Sequence, residues 1–391
     1  MLPKNILEKK FLIITHTYAT GPSQELRDYF LRNKAIFAFL EHPFMIDKNS
    51  QNSTITYYEK GIEIKKIKGG HTVKTDWLCF VKDFIETILL TIKLGKKFDI
   101  CIAADNLNTI SALFLKKIGF VRKVIYYAID YSPKRFDIQI LNKIYLSVDK
   151  YCCYWSNLVW SSSERMKLAR IKSGVDERKY SPELIVRDGC HFNSIVRLPE
   201  KKIDRKKIVF MGHLVPNKGV DLILKSFPRV LREAINAKLI IIGGGSEENN
   251  LKRLANELKI SKHIVFTGFI DNHEEVEKII ASCGIAVAPY VPDKNSFTFF
   301  SDVGKVKVYL ACGLPVLITD VPEISQQIEK NKAGKIIQYD KNDLSDKMID
   351  LIVNEDMYLN FRRNAIIMAK DLDWDNVWKK SLTESYKLLY K

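Results

Sequence analysis

The sequence predicts an α/β protein built of two doubly wound, Rossmann-like domains that face a cleft. Over residues 11–186, short apolar runs typical of buried parallel strands alternate with amphipathic stretches of helical length. This alternation pauses over 193–207, a candidate linker that is rich in charge and contains Pro199, and then starts again. The length of 391 residues exceeds what one ordinary core accommodates, in agreement with two domains.

The first domain is predicted over residues 1–198. Its strands are predicted, in order, at 11–15, 36–40, 54–58, 62–67, 98–105, 124–129, 158–160 and 184–186, the third and fourth forming a peripheral hairpin. Helices are predicted between them at 23–31, 76–94, 142–155 and 163–173, with Ser23 and Ser163 as caps, and a further helix is predicted to follow Asn106 and Asn108 and run through Ile118. Ligands of such sheets bind where the strands end, so the residues that follow each strand are the candidates for a site.

The second domain is predicted over 199–370, followed by an amphipathic helix over 371–391 that contains Trp374 and Trp378. Predicted strands lie at 208–210, 239–242, 264–268, 285–289 and 315–319. The stretch SDVGKVKVYLACGLPVLITD (301–320) combines a turn at Asp302, Val303 and Gly304 with a short helix and the last of these strands. Such a unit directs backbone N–H groups and the positive end of a helix towards an anion.

The composition fits a globular protein with an unevenly distributed positive charge. The formal charge is +16, and residues 1–198 carry 32 basic and 20 acidic side chains, so 32 − 20 = +12 of it lies in the first domain. The basic residues are dispersed and form no nucleic-acid module, which leaves an anionic membrane surface, a phosphorylated acceptor or a plain solvated surface. With no run of about 18 apolar residues and no signal peptide, we expect a cytoplasmic protein whose seven cysteines are buried, reduced thiols.

Four residues at strand ends are candidates in the first domain. Gly21 is the flexible point where a strand passes into a helix, and His16 ends that strand, either as an acceptor-side residue or as a structural histidine. Asp105 ends another strand, where it either faces the cleft or belongs to a turn. Asp130 either orients an acceptor hydroxyl as a general base or caps the turn that follows it.

Lys218 and the run Gly243, Gly244 and Gly245 are the candidates of the second domain. Lys218 lies in the first strand-to-helix loop, where a fixed cation meets a phosphate at a helix N-terminus. The glycines let the backbone approach a ligand, or form a plain turn. No set of His, Cys and carboxylate residues has the spacing of metal ligands and no DxD motif is present, so we expect no metal and no cofactor.

The succession of motifs GHLVPNKG, IIGGG, VFTGF, VAPY and KVYLACGLPV resembles the C-terminal domain of glycosyltransferases of family 4 (group 1), which have the GT-B fold. The segments THTYATGPSQEL and AADN are similar to the acceptor-side domain of that family. The tail DLDWDNVWKKSLTESYKLL is similar to its closing helix, which crosses back to the first domain.

The resemblance implies roles for individual residues. It places Lys218, with Gly212, Gly219 and His213 in the place of an arginine, on the pyrophosphate of a nucleotide-diphosphate sugar. It places Thr267, Gly268 and Phe269 beside the base, and Asp302, Val303, Gly304 and Lys305 in the adjoining loop. The pair of glutamates typical of the family falls on Phe300 and Val308, neither of which accepts a hydrogen bond.

We therefore expect a metal-independent, retaining glycosyltransferase that acts on a saccharide or lipid-linked acceptor at the inner membrane face in cell-surface glycan synthesis. Lys218 would stabilise the leaving nucleotide diphosphate. Two alternatives remain: a non-catalytic nucleotide-sugar-binding protein that has lost the glutamate pair, and a nucleotide-sugar epimerase of similar fold.

Overall fold

A computed structural model describes residues 3–17, 21–43, 52–70 and 76–390, with the side chains of 76–78 left out. The chain forms two compact units, Met1–Arg187 with Trp374–Lys391, and Asp188–Asp373. Residues 18–20 of the THTYATGPSQEL motif lie outside the described residues. Each unit is an α/β structure with its own sheet and core.

The first unit contains an eight-stranded sheet. Its strands are β1 (Lys10–His16), β2 (Ile36–His42), β3 (Thr54–Glu59), β4 (Ile62–Lys68), β5 (Phe98–Ala104), β6 (Val121–Ala128), β7 (Leu158–Ser161) and β8 (Glu183–Ile185). The helices are α1 (Lys4–Leu7), α2 (Pro22–Arg32), α3 (Asp76–Leu94), α4 (Asp105–Lys117), α5 (Gln139–Trp155) and α6 (Glu164–Lys172). The order is β4-β3-β2-β1-β5-β6-β7-β8, parallel except where the hairpin β3–β4 adds antiparallel pairs.

The second unit contains a six-stranded, wholly parallel sheet. Its strands are β9 (Asp204–Met211), β10 (Lys238–Ile242), β11 (Ile264–Gly268), β12 (Cys283–Ala288), β13 (Val316–Thr319) and β14 (Gly334–Ile337), in the order β11-β10-β9-β12-β13-β14. The helices are α7 (Val220–Glu233), α8 (Glu248–Glu257), α9 (His273–Ala281), α10 (Phe297–Phe300), α11 (Gly304–Ala311), α12 (Ile324–Lys330), α13 (Lys341–Val353) and α14 (Glu355–Asp371). Strands β10 and β12, which pair with β9, both run parallel to it, as the alternation of strands and helices predicts.

Apolar residues of the central strands supply both faces of each sheet. In β5, Ile100 and Ile102 face one core while Cys101 and Ala103 face the other. This explains why the strand is an unbroken apolar run in the sequence. All seven cysteines lie in described parts of the chain, are buried and form no disulfide.

The closing helix α15 (Trp374–Leu389) belongs to the first unit. The rings of Trp374 and Trp378 stack with centroids 5.2 Å apart, and Trp378 also meets Tyr127 edge-on at 6.3 Å. The indole N–H of Trp160 on β7 donates a hydrogen bond of 2.8 Å to the Ser385 hydroxyl. The end of the chain therefore completes the core of the first unit.

The units divide at 187/188 and 373/374, whereas the sequence predicted divisions at 198/199 and 370/371. The stretch 193–207 is not a free linker. Arg197 donates a hydrogen bond of 2.9 Å to the Ala311 carbonyl, and Arg362 donates one of 2.7 Å to the Leu198 carbonyl. The Arg197 side chain and the Leu198 carbonyl thus contribute to the packing of the second unit, which the charge pattern of a candidate linker did not indicate.

Candidate functional site

The loop after β9 carries Lys218 at the end of a short 3-10 turn, Pro216–Lys218. Its amine lies 3.4 Å from the Thr298 hydroxyl and 5.2 Å from the centre of the Tyr290 ring. Burial lowers the pKa of Lys218. Gly219 follows with φ +66°, and a Cβ there would lie 1.9 Å from the Pro289 carbonyl oxygen. The glycine therefore holds the loop against the end of β12 and fixes where the lysine begins.

Lys305, in the first turn of α11, also lies beside Tyr290. Its amine lies 4.7 Å from the centre of the Tyr290 ring and 4.2 Å from that of Phe210. This nitrogen is buried and has no hydrogen-bond partner among the described residues. Burial, and then the charge of Lys218, lower the pKa of Lys305 well below its usual value. A buried amine without a partner is costly, and an anion beside it would remove that cost.

A buried ion pair holds the loop that leads to Lys305. The Lys307 side chain is fully buried and its amine contacts the Asp302 carboxylate, which also accepts a hydrogen bond of 2.7 Å from the Asp188 backbone N–H. Burial raises the pKa of Asp188 to about 6. The Asp302 carboxylate, predicted to bind the donor, is only 2% exposed and is engaged within the protein.

The glycine-rich loops pack against one another. A Cβ on Gly243 would lie 2.2 Å from the Gly212 carbonyl oxygen, and one on Gly245 would lie 2.3 Å from the Leu214 carbonyl oxygen. Gly244 has more room, since the nearest atom to its Cβ position is 3.6 Å away. Gly243 and Gly245 thus allow the loop after β10 to lie beside the loop after β9, and Gly244 is the glycine of the three that could face a ligand.

The predicted base-side residues end β11. Phe269 is 73% exposed, and the Thr267 hydroxyl donates a hydrogen bond of 2.9 Å to the Gly268 carbonyl. Gly268 adopts φ +70° and its carbonyl accepts a hydrogen bond of 2.9 Å from the Gly243 N–H. The ends of β10 and β11 are therefore tied together, and an unpacked aromatic ring stands beside them.

The remaining residues predicted for this site are exposed, lie at the start of α11 or pack against apolar side chains. His213 is exposed, Val303 is partly exposed and caps α11, and Gly304 begins that helix. At the glutamate positions, Phe300 is 6% exposed and Val308 packs beside the core of the second unit. Both side chains therefore pack as apolar groups, and neither can accept a hydrogen bond from a hydroxyl.

Sequence reasoning missed Tyr290, Thr298 and Phe210 as members of the site. Tyr290 ends the VAPY motif, and that strand-end position was a signal available in the sequence. Thr298 and Phe210 carried no comparable signal, because an isolated threonine and a core-strand phenylalanine are ordinary residues. We name the arrangement of Lys218, Lys305 and Tyr290 the lysine pair site.

A separate pocket of about 170 Å³ lies in the first unit, at the N-terminus of α2. It is lined by Gly21, Pro22, Ser23, Gln24, Asp105, Ile129 and Asp130. Helix α2 begins at Pro22 with Gly21 in the cap position, so Ser23 is not the cap that the sequence predicted. The structure thus brings together Gly21, Asp105 and Asp130, which were each predicted from a strand end.

Asp105 has an unusual backbone conformation at this pocket. It follows β5 directly and begins α4 with φ +68°, a value that is uncommon outside glycine. Burial raises the pKa of Asp105, while the charges of His16 and Arg135 act in the opposite direction. Gln24 also lines the pocket, and its side-chain carbonyl oxygen is buried without a hydrogen-bond partner in the described part of the chain. The pocket therefore offers oxygen acceptors for hydroxyl groups.

His16 lies next to a charged cluster under α3. Its Nε2 is 3.4 Å from the Asp83 carboxylate. Within the described residues, His42, Asp83 and Glu86 form a group whose ligand atoms are close enough for a metal ion. Both ring nitrogens of His42 already have hydroxyl partners, Ser53 at 3.0 Å and Thr87 at 2.8 Å, and burial lowers the pKa of His42 to about 3. The Lys82 amine lies 3.0 Å from Glu86, so a cation there would meet an ammonium group.

Known structures share this architecture. The Anabaena protein HepE, solved in complex with UDP, superimposes with a TM-score of 0.72 at 14% identity, over 97% of this chain and 99% of that one. At this identity the likeness establishes the fold. The predicted α/β class with two doubly wound domains, the GT-B fold, is confirmed.

Residues 195–368 match the family model described as glycosyl transferases group 1. An uncharacterized glycosyltransferase of Methanocaldococcus jannaschii is 26% identical over 223 residues, 55% of this chain and 53% of the relative. A GDP-mannose-dependent alpha-(1-6)-phosphatidylinositol monomannoside mannosyltransferase of Mycobacterium tuberculosis is 26% identical over 193 residues, 48% of each chain. The matched stretches thus cover about half the length of these relatives. Residues 195–368 are thus similar to group 1 glycosyl transferases, as the motifs indicated, whereas family 4 stays a prediction.

Proposed function

We propose that this protein is a glycosyltransferase that moves a sugar from a nucleotide-diphosphate sugar to a saccharide or lipid-linked acceptor. The observation that carries the proposal is the lysine pair site, in which a buried amine without a partner lies near a second lysine in a segment similar to group 1 glycosyl transferases. Two ammonium groups there match the charge of a diphosphate.

Stabilisation of the leaving nucleotide diphosphate would be the main catalytic contribution. Charge develops on the diphosphate as the bond to the sugar breaks, and fixed cations in a poorly hydrated site interact strongly with that charge. Lys218 and Lys305 would supply this charge in place of a divalent ion, so we propose a metal-independent reaction. Phe269, 73% exposed at the end of β11, is suited to stack on the base.

The pocket of the first unit is proposed to hold the acceptor. Asp105, Asp130 and Gln24 offer oxygen atoms to the hydroxyl groups of a saccharide. A carboxylate whose pKa is raised, as at Asp105, is suited to accept a proton from an attacking hydroxyl. His16 and Gly21 would shape the acceptor side. Retention of configuration is part of the same proposal and derives from the family resemblance. A lipid-linked acceptor at the inner membrane face, as in cell-surface glycan synthesis, is proposed from the positive charge of residues 1–198.

A second candidate is a nucleotide-sugar-binding protein without activity. Phe300 and Val308 favour it, because neither can bind the hydroxyl groups of ribose or sugar. Loss of a hydrogen bond between uncharged groups costs about 1–3 kcal/mol when the remaining donor or acceptor stays buried.

Calorimetry with UDP-sugars and GDP-sugars, followed by assays of donor hydrolysis and sugar transfer, separates the two candidates. We expect binding and turnover, and we expect Lys218→Ala to lower turnover by about 100-fold or more while thermal unfolding stays unchanged. Lys225→Ala is the matched control, since this exposed lysine on α7 pairs with Asp221 away from the lysine pair site. Binding without turnover favours the inactive binder, and normal turnover by Lys218→Ala refutes the role of Lys218.

A further inference from the structure

The outward face of α3 is apolar, and its charged residues face inward. Among residues 79–94, the exposed side chains other than Lys93 are Phe80, Val81, Ile85, Leu89 and Ile92. By contrast, the side chains of Lys82, Asp83 and Glu86 are only 13%, 13% and 12% exposed. A surface helix of a globular protein ordinarily shows the reverse pattern.

The inverted orientation is fixed by the contacts beneath the helix. The Lys82 amine lies 3.0 Å from Glu86 and 3.6 Å from Asp83, and Asp83 in turn lies 3.4 Å from the His42 ring of β2. Turning the helix to hide its apolar residues would break this group of ion pairs. The apolar face of α3 is therefore built into the fold of the first unit.

The apolar surface continues over the two neighbouring helices. Phe84 of α3 meets Phe114 of α4 with ring centroids 5.7 Å apart, and the Cys152 thiol of α5 contacts the Asn106 carbonyl of α4 at 3.3 Å. The exposed apolar residues of α4, α5 and the adjoining segments are Leu107, Phe114, Ile118, Phe136, Ile138, Ile140, Leu141, Ile144, Tyr151 and Trp155. We name these residues, with the five of α3, the α3–α5 face. Exposed apolar residues that lie on adjoining helices in this number are typical of an interaction site.

The charges around the α3–α5 face are almost all positive. Over residues 79–155, all of which the structure describes, Asp137 is the one acidic residue classed as exposed. The exposed basic residues of the same stretch are Lys93, Lys96, Lys97, Lys117, Arg122, Lys134, Arg135, Lys143 and Lys150. The exposed charged side chains of this stretch thus complement an anionic surface.

We propose that the α3–α5 face docks on the surface of an anionic lipid bilayer. Apolar side chains would enter the boundary between headgroups and acyl chains, while the lysines meet the headgroup phosphates. Tyr151 and the 61% exposed Trp155 are the residue types that favour this boundary. A second copy of the chain fits less well, because it would bring the same positive charge against itself. Among the described residues no helix is long and apolar enough to cross a bilayer.

Sedimentation with lipid vesicles tests this inference. The full chain should co-sediment with vesicles of equimolar phosphatidylglycerol and phosphatidylcholine, and more weakly with phosphatidylcholine alone. We expect Ile85→Glu with Leu89→Glu to lower the affinity by more than about tenfold, because charged groups resist entry into the bilayer. Lys117→Gln with Lys143→Gln should lower it by about fivefold for each charge and reduce the preference for phosphatidylglycerol.

Matched controls come from the second unit. Ile235→Glu with Val353→Glu alters apolar residues that are 74% and 69% exposed, and Lys201→Gln with Lys202→Gln alters exposed lysines. Both control pairs should bind vesicles like the unaltered chain. Circular dichroism and thermal unfolding check that each variant is folded.

The inference is overturned if the unaltered chain stays in the supernatant with anionic vesicles at low salt, or if the Glu variants bind them unchanged. It is also overturned if light scattering shows a dimer that Ile85→Glu with Leu89→Glu dissociates while vesicle binding persists. Vesicle binding does not depend on the proposed sugar transfer. Lys218→Ala should bind vesicles normally, so failure of one proposal is distinguishable from failure of the other.

Discussion

Two lysines that lie two positions apart on α11 have opposite roles. Lys307 is fully buried and paired with Asp302, whereas Lys305 has a buried amine that faces the rings of Phe210 and Tyr290 without a hydrogen-bond partner in the described chain. The first lysine contributes to the fold of its loop. The second is a buried amine whose pKa is lowered well below its usual value, as expected of a group that awaits an anionic ligand.

Substitution of each lysine by methionine separates these roles. Lys305→Met removes a buried charge without leaving a partner, so the free energy of unfolding should stay the same or rise, while the affinity for UDP or GDP falls about 10-fold to 100-fold. Lys307→Met leaves Asp302 buried and unpaired and should cost about 3–5 kcal/mol of stability. Thermal unfolding and calorimetry measure both effects. Equal loss of stability in the two variants would contradict the assignment.

Sequence patterns indicated the two lysines of the site, but they did not indicate which side chains contact one another around them. Lys218 and Lys305 lie in loops between strands and helices, and strand ends can be predicted from apolar runs. Asp302 lies in the same kind of loop, yet its carboxylate is engaged by Lys307. That engagement depends on Lys307 pointing inward, and a lysine in a helix is ordinarily expected at the surface. The direction of a single side chain is set by the tertiary fold, which no local pattern contains.

At the scale of elements, the ends of β9, β10 and β11 are held together by glycines. The Gly243 N–H donates to the Gly268 carbonyl at 2.9 Å, and the Gly212 N–H donates to the Ile242 carbonyl at the same distance. Gly243 has φ +125°, a conformation that side-chain-bearing residues rarely adopt. These contacts fix the ends of the three strands. Gly212, which they include, begins the loop that carries Lys218.

Gly243→Ala should therefore destabilise the second unit by at least about 1–3 kcal/mol, since its Cβ would meet the Gly212 carbonyl oxygen at 2.2 Å and its backbone would be strained. Gly244→Ala is the matched control. Its nearest neighbour would be a Glu248 carboxylate oxygen at 3.6 Å, so stability should change little. Urea unfolding compares the two. A Gly244→Ala variant as unstable as Gly243→Ala would show that the loop contacts are wrongly described.

Sequence patterns predicted the presence of the elements more closely than their ends. The apolar run predicted a strand from residue 124, whereas β6 begins at Val121 and pairs Lys123 with Ile100 of β5. Val121 is buried in the core, but Arg122, whose side chain is 82% exposed, and Lys123 separate it from the apolar run. Backbone pairing continues through these two polar residues, and polarity alone does not reveal it.

For the whole molecule, the chain passes out of the first unit at Arg187 and returns to it at Trp374. The second unit is consequently one continuous segment, while the first is made of two. The return segment supplies Trp378, which is fully buried against Trp160 and Tyr127. Burial of aromatic side chains of this size contributes several kcal/mol. We therefore expect the first unit to need both of its segments in order to fold, whereas the second unit needs only its one segment.

Expression of separate segments tests this division. Residues 188–373 alone should unfold cooperatively and bind UDP or GDP, because the core of the second unit and the lysine pair site lie within them. Residues 1–187 alone should be unstable or aggregate, since loss of α15 exposes the core that Trp378 covers. Joining residues 374–391 to 1–187 through a flexible linker should restore cooperative unfolding, and Trp378→Ala in that fusion should remove about 3–5 kcal/mol. Trp155→Ala, at an exposed position of the same unit, should cost little and serves as the control. If residues 1–187 fold as well without α15 as with it, the return segment is an attachment to the first unit and not part of its core.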